Sequence, residues 1–313
     1  MASPQASHNS GLNRRDFLVQ SGAAVAAAGW LGSQFASSAN AGESATNGIR
    51  KAVKYSMVGG DAPVLEKFKM LKAIGFEGVD MTAPLDHDEV RKAQDESGII
   101  VHGVVAYDHW KKPLSHPDPE VRSTGLESFM GAIRDAHAYG ASSVLLVPAV
   151  VNKEISYNQA YDYSQEEIRK ALPLAEELGI DILIENVWNN FLLSPLELAN
   201  YLDEFETPHV GAYFDVGNVV RYGWPEQWIR ILGPRIKKLD IKEYSREIES
   251  KEGPYAGFRS KIGDGDCDWP AVMKALAEIG FAGWGTAEVP GGGKEELADI
   301  SMRMDKAFSK IGE

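Results

Sequence analysis

Ala73-Ile74-Gly75-Phe76-Glu77-Gly78-Val79-Asp80 and, near the other end of the chain, Ala277-Glu278-Ile279-Gly280-Phe281-Ala282-Gly283-Trp284 repeat one phrase: the end of an amphipathic helix, a glycine, a residue or two, and the start of a strand. Glycine suits that place because it adopts the left-handed conformation that ends a helix without a Cβ clash. The same helix-to-glycine junction recurs at Tyr139-Gly140 and Leu178-Gly179. A chain that uses one helix-to-strand unit repeatedly is building a sheet from parallel strands joined by helices.

Working outward from these junctions, β-branched runs predict strands at Val53–Met57, Gly78–Met81, Ile99–Val105, Ser143–Val147, Asp181–Glu185, Val210–Asp215, Ile236–Ile241 and Trp284–Glu288. Helical patterns lie between them, among them Val64–Ile74, Glu120–Tyr139, Glu166–Leu178 and Trp269–Ile279. Eight such units over residues 51–313 predict the α/β class and a single (β/α)8 TIM barrel, a fold that typically takes roughly 250 residues. The competing open, doubly wound sheet would carry a G-x-G-x-x-G turn after its first strand, and none is there. Only Tyr244–Asp268 is long and without strand character, and by its place after the seventh strand it should overhang the barrel mouth.

The chain of 313 residues is 44% hydrophobic and 25% charged, which is enough apolar material for a sizeable core. Its formal charge of -13 repels nucleic acid and anionic lipid. A single cysteine, Cys267, excludes an internal disulfide. Before the barrel, Asn13-Arg14-Arg15-Asp16-Phe17-Leu18 precedes a small-residue apolar run from Gly22 to Gly32, and Ala39-Asn40-Ala41 offers a cleavage site. This order resembles a twin-arginine export signal over residues 1–41, followed by a linker over 42–50, and predicts a periplasmic or otherwise exported protein whose mature chain begins at Gly42. N-terminal sequencing would test it. The apolar run is shorter than the ~20 residues of a membrane span, so no stable span is expected after cleavage; an uncleaved anchored leader and a cytoplasmic chain are the alternatives.

In a barrel of this kind functional side chains sit at the carboxyl ends of the strands. Four consecutive strands end in carboxylates: Ile184-Glu185-Asn186, Phe214-Asp215-Val216-Gly217-Asn218, Leu239-Asp240-Ile241-Lys242-Glu243 and Ala287-Glu288. Buried together they would have to be protonated or be neutralised by a cation. All-oxygen ligands favour Mn2+ or Mg2+, with Co2+ or Zn2+ as alternatives. A strand-end carboxylate taken singly is more often a helix cap or half of an ion pair.

These residues, together with Ile262-Gly263-Asp264-Gly265-Asp266-Cys267-Asp268-Trp269, resemble the xylose-isomerase-like superfamily of sugar isomerases and epimerases, especially the branch of hydroxypyruvate isomerases, ketose 3-epimerases and hexulose-phosphate isomerase-like proteins. The resemblance implies a metal held by Glu185, Asp215, Asp240 and Glu288. It further implies that Glu185 and Glu288 pass a carbon-bound proton through an enediolate, giving an isomer or an epimer of a sugar or sugar phosphate. Two positions depart from the family pattern: Asp240 stands where a histidine ligand is usual, and Asn218 where a histidine often touches substrate. Asn218, Arg246, Trp188, Lys242 and His109 are the candidate substrate contacts, against a packing role for Trp188 and surface ion pairing for Lys242 and Glu243. Arg259 and Lys261 are candidate phosphate contacts, and His102 reads as a buried core histidine. The expected partner is a carbohydrate; self-association into a homo-oligomer stays open. A sugar lyase or dehydratase on the same fold, an apurinic-site nuclease, and a non-catalytic sugar-binding barrel are the competing functions, and the acidic balance weighs against the nuclease.

Overall fold

The computed structural model describes residues 48–309. Among them, β1 (Ile49–Lys54), β2 (Gly78–Met81), β3 (Ile100–Val105), β4 (Ser143–Leu146), β5 (Asp181–Glu185), β6 (Val210–Asp215), β7 (Ile236–Ile241) and β8 (Gly283–Ala287) close in sequence order into one barrel. Every neighbouring pair is parallel, and the seam is made by β1 on β8, from Ile49 opposite Gly283 to Val53 opposite Ala287. The connecting helices are α1 (Val64–Ala73), α2 (His87–Ser97), α3 (Pro119–Tyr139), α4 (Tyr157–Leu178), α5 (Pro195–Asp203), the short α6 (Gly217–Val220), α7 (Pro225–Leu232), α8 (Arg246–Glu252), α9 (Trp269–Glu278) and α10 (Lys294–Phe308). None of these helices is long and apolar enough to cross a membrane. The stretch expected to be an export leader, residues 1–41, lies outside the described residues.

The junction glycines behave as the repeated phrase requires: Gly140 and Gly179 close α3 and α4 at φ of 76° and 66°, in the left-handed region. Four strands, β2, β5, β6 and β7, have the predicted bounds. β1 does not. It starts at Ile49, inside the stretch expected to be linker, and stops at Lys54 because Tyr55–Met57 winds into a 3-10 turn. α4 begins at Tyr157, well ahead of Glu166, where Ser156 and Gln159 form a reciprocal capping box. The Tyr244–Asp268 connection carries no strand, as expected, but it holds α8 and a 3-10 turn at Pro254–Arg259.

Alternation along the strands sorts side chains into two compartments. Val53, Val79, Ile182, Ile184, Phe214, Leu239 and Ile241 belong to the large apolar layer shared with the helices, each fully buried side chain of this kind contributing about 1.5–3 kcal/mol. The barrel interior has only a small apolar plug of Leu145, Leu183 and Tyr213, with Val105 packed against it. Around that plug the interior is polar, with Asp80, His102, Lys238 and Thr286 all buried. The Asp80 carboxylate accepts the Tyr213 hydroxyl at 2.6 Å and pairs with Lys54 at 3.1 Å; the hydroxyls of Tyr213 and Thr286 meet at 2.7 Å. Thr286 reaches His102 Nε2 at 3.2 Å, and the Lys238 ammonium donates to the His102 carbonyl. Gly103 is obligatory here, because a Cβ would collide with the Asp80 carboxylate. Hydrogen bonding of this density is what makes a polar interior tolerable.

Candidate active site

β5 to β8 bring Glu185, Asp215, Asp240 and Glu288 to one point, with one carboxylate oxygen from each lying within 4.8 Å of all the others. Asp215 and Asp240 are fully buried, Glu185 nearly so, and the Glu288 side chain keeps 37% of its exposure, all of these facing the end of the barrel where the strands stop. Two lysines stand among them. Lys242 pairs with Asp215 at 2.8 Å and Glu288 at 3.4 Å, and Lys54 pairs with Asp240 at 2.9 Å while holding Asp80 on its other side. Gly217 permits this approach, since a Cβ there would stand 2.8 Å from Lys242.

Four carboxylates face two ammonium groups, one of which, Lys54, is shared with Asp80, so ionising all four would leave negative charge in excess. Burial pushes the Glu185 carboxyl well above the ordinary carboxylate range, and the charge of Glu288 adds to the push. Burial likewise raises Asp240 against the pull of Lys54, and Asp215 against that of Lys242. Glu288 moves the other way: burial works to raise it, but Lys242 and then Lys54 outweigh that effect. Oδ1 of Asp240, Oδ2 of Asp215 and Oε2 of Glu288 are buried with the lysine ammoniums as their partners. Four carboxylates converging on one point, with only two ammonium groups among them and Lys54 shared with Asp80, fit one hard divalent cation. Lys54 also accounts for the aspartate at position 240: its ammonium offsets the charge that a neutral third ligand would not bring.

Asp215 is held by a lattice of amides. The Asn186 side chain accepts from the Asp215 N–H at 2.9 Å and donates to its carbonyl at 2.8 Å; the Asn218 N–H donates to Asp215 Oδ1 at 2.9 Å. The Asn218 side-chain amide donates to the Asn186 carbonyl at 3.0 Å, so part of its capacity is spent on the scaffold.

Above the carboxylates opens a cavity of about 790 Å3, whose wall includes Lys54, His109, Trp188, Asn218, Lys242, Glu185 and Glu288. Of the predicted substrate contacts, Asn218, Trp188, Lys242 and His109 are thus on the wall. His109 accepts the Val147 N–H at Nδ1, which leaves Nε2 as the protonated nitrogen of the neutral ring. Burial, and secondarily Lys54, pushes its pKa down to about 4. Trp188 donates its indole N–H to the Asn218 carbonyl at 2.9 Å and packs against Phe258 and Tyr255.

Arg246 corrects the sequence reading: it stands at the start of α8, off the cavity wall, and its guanidinium donates to the carbonyls of Val220 and Gly223. Lys242 is no surface residue, being 15% exposed and paired twice. Glu243 is fully buried and binds the connection after β7 to the barrel, accepting from the N–H groups of Gly263, Cys267 and Tyr244 and from the Trp269 indole. His102 is the buried, hydrogen-bonded core residue expected. Lys54 and Asp80 were not foreseen. The available signal was the alternation of Arg50, Ala52 and Lys54 against Ile49 and Val53, which Lys51, turned outward to Ser301 and Asp305 of α10, obscures.

Residues 68–307 match the xylose isomerase-like TIM barrel, and the chain belongs to that family. Among curated proteins it is 23% identical over 229 residues to the D-psicose 3-epimerase of Ruminiclostridium cellulolyticum, a match covering 67% of this chain and 72% of that protein. It is also 23% identical over 153 residues to the inosose dehydratase of Geobacillus thermodenitrificans, covering 45% of this chain and 51% of that one. Among solved structures, the 3-keto-D-glucoside 4-epimerase of E. coli superposes with a TM-score of 0.70 at 16% identity, over 83% of this chain and 98% of that chain, a likeness of fold.

Proposed function

We propose that the protein is a metal-dependent sugar isomerase or epimerase in which Glu185 and Glu288 are the proton-transferring pair. The observation that carries this is the convergence of four strand-end carboxylates, within 4.8 Å of one another, two of which, Glu185 and Glu288, line a ligand-sized cavity. Glu185, Asp215, Asp240 and Glu288 would hold a Mn2+ or Mg2+, which would supply positive charge for an oxyanion beside the reacting carbon. Glu185 and Glu288 flank that carbon from β5 and from the end of β8; one takes its proton and the other returns one, to the neighbouring carbon for an isomer or to the opposite face for an epimer. Lys242 holds Asp215 and Glu288 in register, and Lys54 holds Asp240. His109, neutral through the physiological range, presents an N–H to a substrate oxygen, and Asn218 stands on the same wall. Family membership supports the reading, as do the relatives named above, two of which are sugar epimerases by name.

Exchange of substrate carbon-bound protons in D2O, read by NMR with the metal removed before detection, tests it. Glu185→Gln and Glu288→Gln should each lower metal-dependent exchange by about 100-fold or more. Exchange undiminished in both variants would overturn the assignment.

A further inference from the structure

The charged floor of the cavity explains where chemistry occurs, but it uses only part of the space. A volume of about 790 Å3 lies in the upper range for pockets that enclose drug-sized ligands, well beyond what one hexose fills. The remainder is walled by aromatic rings. Trp110 and Tyr255 both line the cavity, yet they are 52% and 74% exposed, so neither contributes much to the core. Trp110 follows β3 and Tyr255 follows β7, strands four apart in a closed ring of eight, which sets their loops on opposite sides of the mouth. Each ring is backed: Trp110 by an edge contact to His109 at 5.7 Å, and Tyr255 by Trp188 at 5.4 Å, which is itself packed on Phe258 at 4.7 Å. Exposed flat rings, each backed by a second ring and set on opposite sides of the mouth of a polar site, offer faces to a flat, amphipathic group.

Charge narrows the choice of that group. The basic residues of the wall are Lys54, Lys242 and Arg259, and each is already matched to a carboxylate, Arg259 to Glu252. His109 is held neutral. Lys261, next along the loop, pairs with Asp299 at 2.9 Å. A phosphate would find no cation on this wall without a carboxylate partner among the described residues, and binding one would mean breaking such a pair.

From this geometry we infer that the substrate is an unphosphorylated glycoside: the reacting sugar sits on the carboxylate floor and a second sugar ring, joined to it glycosidically, lies between Trp110 and Tyr255. The inference deepens the isomerase reading and rests on it for the orientation of the reacting ring. The second ring needs only binding, which can be measured without turnover.

Calorimetric titration of the Mn2+-loaded protein with a set of disaccharides, their parent hexoses and the corresponding hexose phosphates tests the inference. At least one disaccharide should bind tenfold or more tightly than its parent hexose, and no phosphate should gain over its free sugar. Trp110→Ala and Tyr255→Ala should each shrink the disaccharide's advantage several-fold, with Trp110→Phe and Tyr255→Phe restoring most of it; thermal unfolding verifies that the variants are folded. Disaccharides that bind no better than hexoses or not at all, a preference for phosphates, or an advantage indifferent to both alanine variants would each overturn it. Should the advantage appear while no sugar exchanges protons in D2O, the second-ring site stands and the isomerase reading falls. Exchange without the advantage has the reverse meaning.

Discussion

At the scale of single residues, His109 offers a pH-sensitive test. Its ring is buried, accepts a backbone N–H and titrates near 4, against about 6.5 in an unfolded chain. Between those values the unfolded chain binds more protons than the folded one, so stability rises with pH across this window and is lost as pH falls through it. The shift corresponds to about 3 kcal/mol. Urea unfolding at pH 7 and pH 4 should therefore show a steeper acid loss for the native protein than for His109→Gln, by roughly that amount; equal slopes would show that the histidine is not held neutral. Residues also mark where sequence reading ends. Glu185 and Asp215 could be read because each closes an apolar strand, Asp240 because it stands one residue before the end of one, and Glu288 because it follows one. Lys54 and Asp80 could not, since their significance lies in partners brought from β7 and β6, and a lysine or aspartate in a strand carries no mark of what it faces.

Among the elements, the connection after β7 carries most of the functional weight outside the strands. It supplies Tyr255, Phe258 and Arg259 to the cavity wall, and it is tied down at its base by Glu243, whose two oxygens together receive four N–H groups. Glutamine keeps one of those acceptors and turns an amide donor toward the remaining N–H groups. Glu243→Gln should thus leave the far-ultraviolet circular dichroism unchanged while speeding proteolysis within residues 244–268 several-fold. Cleavage at the native rate would assign the clamp elsewhere. The sequence showed this segment as a long loop over the mouth. It did not show α8, because no side chain of Arg246–Glu252 is buried and a helix without an apolar face has no periodicity to read. Tyr55–Met57 misled for the opposite reason: an apolar run continuing β1 turned out to be a 3-10 turn, since apolarity records burial and leaves the backbone conformation open.

For the whole molecule, the barrel and its order of strands were legible because the helix-to-glycine-to-strand phrase is local and repeated, while closure is a geometric consequence of repeating it. The polar interior was less so: it depends on register between strands, as where Asp240 stands beside Asp215 and Thr286. The energetic consequence is global. With carboxylates outnumbering ammonium groups at the floor, the barrel should be more stable with a divalent cation than without one. Chelator-treated protein titrated with Mn2+ or Mg2+ should gain about 3 kcal/mol at a hundredfold excess over Kd, read as a rise in Tm. A Tm indifferent to every divalent ion would remove the metal and the isomerase reading together.

The seam between β1 and β8 gives that cation a further meaning. Glu185, Asp215 and Asp240 are already in place along the chain before the last strand is added, whereas Glu288 arrives with β8, the strand that pairs back onto β1. The four-carboxylate cluster is therefore completed by the same event that shuts the ring. An ion seated there works as a rivet, driven only through a finished barrel, and its affinity becomes a gauge of whether the two ends of the fold have met.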